Sequence, residues 1–195
     1  MIRGWQSLAG TFTGVVFITV AVLPLAALAV WVLAHRRKAA GATSARAWRT
    51  SLADVGILYG TAPGIWMIML PGPGAGIVPG RVSLVPLRDL ATMPTGQVVG
   101  NLLVFAALGF LVPLRFPALA SVTRILLLGA GCSALVETAQ YVLWLDRVSS
   151  VDDVLLNASG AGLAALASRW YWRSSSGADE PGSHAATATG RSYAG

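Results

Sequence analysis

Between Gln97 and Asn157 the chain gathers most of its groups able to do chemistry. Gln97 and Asn101 come first, then Glu137 and Gln140, then Arg147, and last Asp152, Asp153 and Asn157. Apart from Arg147, they sit in or at the ends of long apolar stretches. A carboxylate in such a place is expensive, so it needs a partner or a task. Glu137 and Asp153 are of the type that acts as general acid and base when their surroundings set them apart. Arg147 suits an anionic group such as phosphate, and it is the natural counter-charge for Glu137. The candidate cluster is therefore Asn101, Glu137, Gln140, Arg147, Asp153 and Asn157, with Gln97 and Asp152 as secondary candidates. No nucleophile motif accompanies them. His35, His184 and the single Cys132 have no metal-ligand spacing, so neither a metal nor a cofactor is expected. Gly72, Gly74, Gly76 and Gly80 lack the strand, helix start and Lys-Ser/Thr of a phosphate loop, and read as flexible loop punctuation.

The elements that position these groups follow from composition. Of the 195 residues, 55% are hydrophobic and only 11% charged, with a mean hydropathy of +0.66. A soluble domain carries about a quarter charged residues. The apolar runs here are long enough for a bilayer core of about 30 Å. This favours an integral membrane protein over a large soluble helical bundle. The net charge of +6 comes from arginines in short loops, without aromatic-interleaved basic stretches. It reads as topology, and no nucleic-acid partner is expected.

The fold class is thus all-α, a polytopic membrane bundle of five transmembrane helices. The spans run at about 12–34, 52–70, 97–114, 124–145 and 151–172, with Pro24 and Pro63 as kinks in the first two. The first resembles a signal anchor, followed by His35, Arg36, Arg37 and Lys38 rather than a small-residue cleavage site. An N-terminus outside would put ten Lys and Arg residues on the cytoplasmic side and four on the other, which favours N-outside and C-inside. Residues 1–50 form an extra N-terminal helix and a basic cytoplasmic loop, 51–173 a four-helix membrane domain, and 174–195 a disordered tail.

In this topology the polar groups share one shallow layer. At about 1.5 Å per residue, Glu137 lies roughly 12 Å below the outer end of the fourth helix, with Gln140 a turn above it. Gln97 and Asn101, and likewise Asp153 and Asn157, are i, i+4 pairs descending from the same surface. Ser150 and Asp153 also fit a helix capping pattern, and an acid there or at Asp152 suits the helix dipole. Asn101, Gln140 and Asn157 also suit interhelical hydrogen bonding, at about 0.6 kcal/mol on average. Gly129 with Ser133, and Gly160 with Ala164, are small-xxx-small packing pairs.

The ordered series resembles the VanZ-like family of membrane proteins. It begins at Ser83-Leu84-Val85-Pro86-Leu87 and continues through Gly100-Asn101-Leu102-Leu103-Val104-Phe105 and Leu108-Gly109-Phe110-Leu111-Val112-Pro113-Leu114. It closes with Ser133-Ala134-Leu135-Val136-Glu137-Thr138-Ala139-Gln140, Arg147, Asp153-Val154-Leu155-Leu156-Asn157 and Gly160-Ala161-Gly162. The chain departs at Ala107, where the family usually has Pro, which leads us to expect a straighter third helix. It departs also at Leu87, where Phe is usual.

The family is named for an accessory protein giving low-level resistance to teicoplanin. The resemblance implies a multi-pass protein of a bacterial-type plasma membrane, with Asn101, Glu137, Gln140, Arg147, Asp153 and Asn157 at the family's polar positions. The expected partners are membrane lipids and a lipid-linked cell-wall precursor or glycopeptide-related ligand at the outer leaflet. Three other classes stay open: an intramembrane enzyme using carboxylate acid/base chemistry, a proton or ion path, and an inert assembly partner. An apolar cytoplasmic half of each span argues against the ion path.

Overall fold

The computed structural model describes residues 10–176. Five long helices form the bundle: α1 Phe12–Ala39, α2 Ser44–Ile68, a third made of α3 Thr95–Val104 and α4 Ala106–Arg115, α5 Val122–Val142, and α6 Val151–Ser176. Pro24 and Pro63 lie inside α1 and α2. The helix α6 runs on past the expected start of the tail, and 177–195 lie outside the described residues, as do Arg3 and His184. Three helices are both long and apolar enough to cross a membrane: Phe12–Ala39, Thr95–Arg115 and Val122–Val142. The other two, of 25 and 26 residues, have the length but carry more polar groups.

Two features depart from a purely helical reading. A three-residue strand β1, Arg81–Ser83, pairs in parallel with β2, Val148–Ser150, in the register Arg81 to Val148, Val82 to Ser149 and Ser83 to Ser150. The third helix is not straight. It breaks at Phe105, with φ −108° and ψ 14°, although no proline stands at Ala107. Packing accounts for the break: Phe105 is wholly buried, and α6 presses Gly160 against the Leu102 backbone one turn earlier.

The core lies where α6 packs on α3, α4 and α5. Val104, Phe105, Leu108 and Val112 meet Ile125, Ala161 and Ala165 there. Small residues let the backbones touch. A Cβ on Gly160 would lie 1.9 Å from the Leu102 carbonyl oxygen, and one on Gly109 2.1 Å from that of Ala161. Gly129 likewise faces Ala161 and Ala158, so the expected small-residue seams are where the helices cross.

The helix α1 packs on α2 and leaves Phe12, Phe17, Val20 and Leu25 exposed, the surface expected against lipid. Its far end is tied down by charge. Asp54 accepts from Arg37 and, at 2.5 Å, from Arg115 Nε. Arg37 donates also to Ser51 Oγ at 2.7 Å.

Candidate functional site

Seven of the eight sequence-predicted residues meet at one cavity of about 470 Å³. Gln97, Asn101, Glu137, Gln140, Arg147, Asp153 and Asn157 all line it, at the end of the bundle opposite the Arg37–Asp54–Arg115 cluster. The spacing explains the convergence. One helical turn separates Gln97 from Asn101, Glu137 from Gln140 and Asp153 from Asn157, so each helix presents a polar pair on one face.

Each group is held by a specific contact. The Asn101 Nδ2 donates to Asp153 Oδ1, tying α3 to α6. Glu137 Oε2 accepts the Ser150 backbone N–H at 3.1 Å, and its carbonyl accepts Ser149 Oγ at 2.8 Å. Gln140 Nε2 donates to the Ile68 carbonyl at 2.7 Å, near the end of α2. Asn157 Nδ2 donates to Ser133 Oγ at 2.8 Å, while its buried Oδ1 has no hydrogen-bond partner in the described structure. From Glu137 to the end of α5 is five residues, so the carboxylate lies about 8 Å from that end, shallower than the sequence suggested.

Arg147 does not pair with Glu137. Its Nε and Nη2 donate to the Leu70 carbonyl at 3.3 and 3.2 Å, and no ion pair to Glu137 forms among the described residues. The guanidinium instead stops the open carbonyl at the end of α2, while remaining at the wall of the same cavity.

Asp152 departs furthest from expectation. It does not line the cavity. It is 1% exposed and collects three backbone N–H groups of the loop between α2 and α3, from Leu87 at 2.6 Å, Asp89 at 2.9 Å and Leu90 at 3.0 Å. Those bonds fix a turn in which Leu87 has φ +65°, a conformation uncommon outside glycine. Capping of α6 falls to Ser150, whose Oγ accepts the Asp152 N–H at 3.2 Å and donates to Asp89 Oδ2 at 2.7 Å. The hydroxyls of Ser83 and Ser150 hold the Asp89 carboxyl below its ordinary range.

The loop glycines are docked rather than loose. Gly72 N–H donates to the Leu145 carbonyl at 2.8 Å and Gly74 N–H to Asp146 Oδ2 at 3.0 Å. A Cβ on Gly80 would lie 2.5 Å from the Tyr141 ring, so glycine lets the loop lie flat on the end of α5. Sequence reasoning missed Arg81 and Asp146, which also line the cavity and pair at 3.4 Å. They sit in two separate connections between helices, outside the apolar runs, where a charge carries no signal of burial.

The segment 55–172 matches the VanZ/LLP1 family model, 118 residues that include every cavity candidate named above. The chain belongs to the VanZ/LLP1 family. The VanZ/LLP1 match leaves out α1, although Phe12 at its start reaches the cavity wall. It also leaves out Asp54, the acid that joins α1 to α4. No curated protein and no solved structure matches the chain. Family and apolar helices together make this a membrane protein.

Proposed function

We propose that this VanZ/LLP1 protein crosses the cell membrane five times, N-terminus outside and C-terminus inside, and that its cavity binds or modifies a lipid-linked or cell-wall ligand at the outer leaflet. By doing so it would lower susceptibility to glycopeptide antibiotics such as teicoplanin. The observation that carries this reading is the meeting of Asn101, Glu137, Gln140, Arg147, Asp153 and Asn157 at one cavity beneath one end of the bundle. Polar side chains at membrane depth are costly unless they pair or work, and here they converge. The excess of Lys and Arg at the opposite end supports the orientation.

The test is protection of a susceptible host by the wild type and by Glu137→Gln. The amide keeps an oxygen for the Ser150 N–H but can neither take up nor release a proton. Lost protection at unchanged protein level is expected; full protection by the variant would remove the cavity from the mechanism. Cysteine-accessibility mapping of the Gln97 rim from the outside checks the orientation.

A second reading is favoured by one observation: two carboxylates, Glu137 and Asp153, line the same cavity. Such a pair could act as acid and base on an envelope lipid or glycan. Incubating purified protein with envelope extract and finding no altered lipid or glycan would count against it. The cavity lining does not extend to the Arg37–Asp54–Arg115 end, which disfavours a continuous ion path.

A further inference from the structure

Glu137 faces two spaces. Besides the polar cavity it lines a separate groove of about 260 Å³, formed with Val82, Leu84, Ala134, Thr138 and Tyr141. The β1–β2 ladder is the wall between them. Side chains alternate across a strand, and here the paired Arg81 and Val148 line the polar cavity while the paired Val82 and Ser149 line the groove, which Ser150 at the end of β2 also borders.

We propose that this groove seats one hydrocarbon chain of an amphiphile whose head occupies the polar cavity, the two parts meeting at Glu137. This rests on the cavity being a ligand site, and it adds that the ligand arrives sideways from the lipid. Three observations specify a chain as the occupant. The groove lies beside an exposed apolar side of α5, where Leu135, next to Ala134, is 72% and Val142, next to Tyr141, 65% exposed. Its outer lip is the loop stretch Val82 to Leu87, whose Val82, Leu84, Val85 and Leu87 are exposed and which Arg81 and Arg88 bracket. That is the pattern of a segment lying in the interface, apolar groups in the acyl region and the Arg88 guanidinium at the phosphates, while Arg81 stays with Asp146 at the polar cavity. Third, the groove is smaller than the roughly 300–1,000 Å³ that receives a whole drug-sized ligand, so it suits one chain and no head group.

The head has its own requirement. Glu137 and Asp153 give the lining its acceptors, and Asn157, in the same lining, holds a buried Oδ1 that lacks a donor. A head that offers hydroxyl or amide N–H groups meets that lining.

The experiment uses the full chain in nanodiscs of phosphatidylcholine and phosphatidylglycerol, with a single-chain alkyl glycoside carrying a mid-chain diazirine as the probe. After irradiation, labelled residues are mapped by mass spectrometry. Labelling concentrated on Val82, Leu84, Ala134 and Tyr141 is the expected result. The apolar groove between α1 and α2, around Val22, Leu58 and Trp66, serves as the internal reference. Ala134→Trp, which fills the groove, should lower labelling there about tenfold, the effect of losing a couple of buried methylenes. Leu84→Asp, on an exposed loop position, should do the same without touching the helix packing. Labelling spread evenly over all exposed apolar faces in the wild type would overturn the proposal, as would groove labelling indifferent to both substitutions. The head reading fails separately: groove labelling lost in Ala134→Trp but unchanged in Glu137→Gln and Asn157→Leu keeps the chain seat and removes the head from the cavity.

Discussion

Asn157, a residue of the cavity lining, spends its Nδ2 on Ser133 Oγ, at 2.8 Å, and leaves its buried Oδ1 without a hydrogen-bond partner among the described residues. An amide that only glued α5 to α6 would do better with both ends satisfied. A buried acceptor without a donor is costly, whereas replacing both partners by apolar groups is close to neutral.

The double variant Ser133→Ala with Asn157→Leu is therefore expected to unfold within about 1 kcal/mol of the wild type, since a membrane hydrogen bond averages about 0.6 kcal/mol. Protection against the antibiotic should nevertheless be lost. Thermal unfolding in detergent and the resistance assay together read the two effects. Equal loss of stability and protection would return Asn157 to a structural role.

Asp152→Ala removes the acceptor of three backbone N–H groups at once, from Leu87, Asp89 and Leu90. Bonds to a charged group are worth about 1.5–3 kcal/mol each, and water entering the loop recovers part of that, so a cost of about 2–4 kcal/mol is expected. Hydrogen exchange should show the 87–90 turn opening before the helices do. Leu87→Gly in the same background should recover part of the loss, because glycine adopts the positive φ freely.

Gly160→Ala places a methyl group against the Leu102 backbone, where a Cβ would sit 1.9 Å from the carbonyl oxygen. Backbone cannot step aside as a flexible side chain can. The expected penalty is about 3 kcal/mol or more, seen as a lowered unfolding temperature or a loss of folded protein. Gly96→Ala, with no atom within 4 Å of its Cβ, is the matched control and should be nearly silent.

The Asp89 carboxyl is held below its ordinary value by the Ser83 and Ser150 hydroxyls. A depressed carboxyl stabilises the fold fully above its unfolded pKa, and that contribution disappears as pH falls through the folded value. Loop protection against exchange should accordingly be flat from neutral pH down to about 4 and fall below it. Asp89→Asn should remove that acid-side step, leaving the other carboxylates to set the remainder.

Much of the candidate site was legible because Glu137, Asn101 and Asn157 stand out in apolar runs, where each polar group carries a cost. Spacings of i, i+3 or i, i+4 then gave each of them a polar neighbour on its own helix face. Asp152 and Asp153 show where that reasoning ends. Adjacent on a helix, they point about 100° apart, and only the packed loop decides which one enters the cavity. The β1–β2 ladder was not legible for a related reason. Its two three-residue strands lie more than 60 positions apart, too short for any alternation to register. The break at Phe105 likewise comes from another helix pressing on this one, and no residue in the segment announces it.

The Arg37–Asp54–Arg115 junction bears on what counts as the unit of this molecule. A fragment cut at 55 to follow the family boundary would strand Arg115 near the apolar phase with its carboxylate gone. It would also discard the helix whose first turn closes one side of the cavity. Ancestral homology and mechanical integrity thus draw different borders, and the shorter one severs an electrostatic rivet.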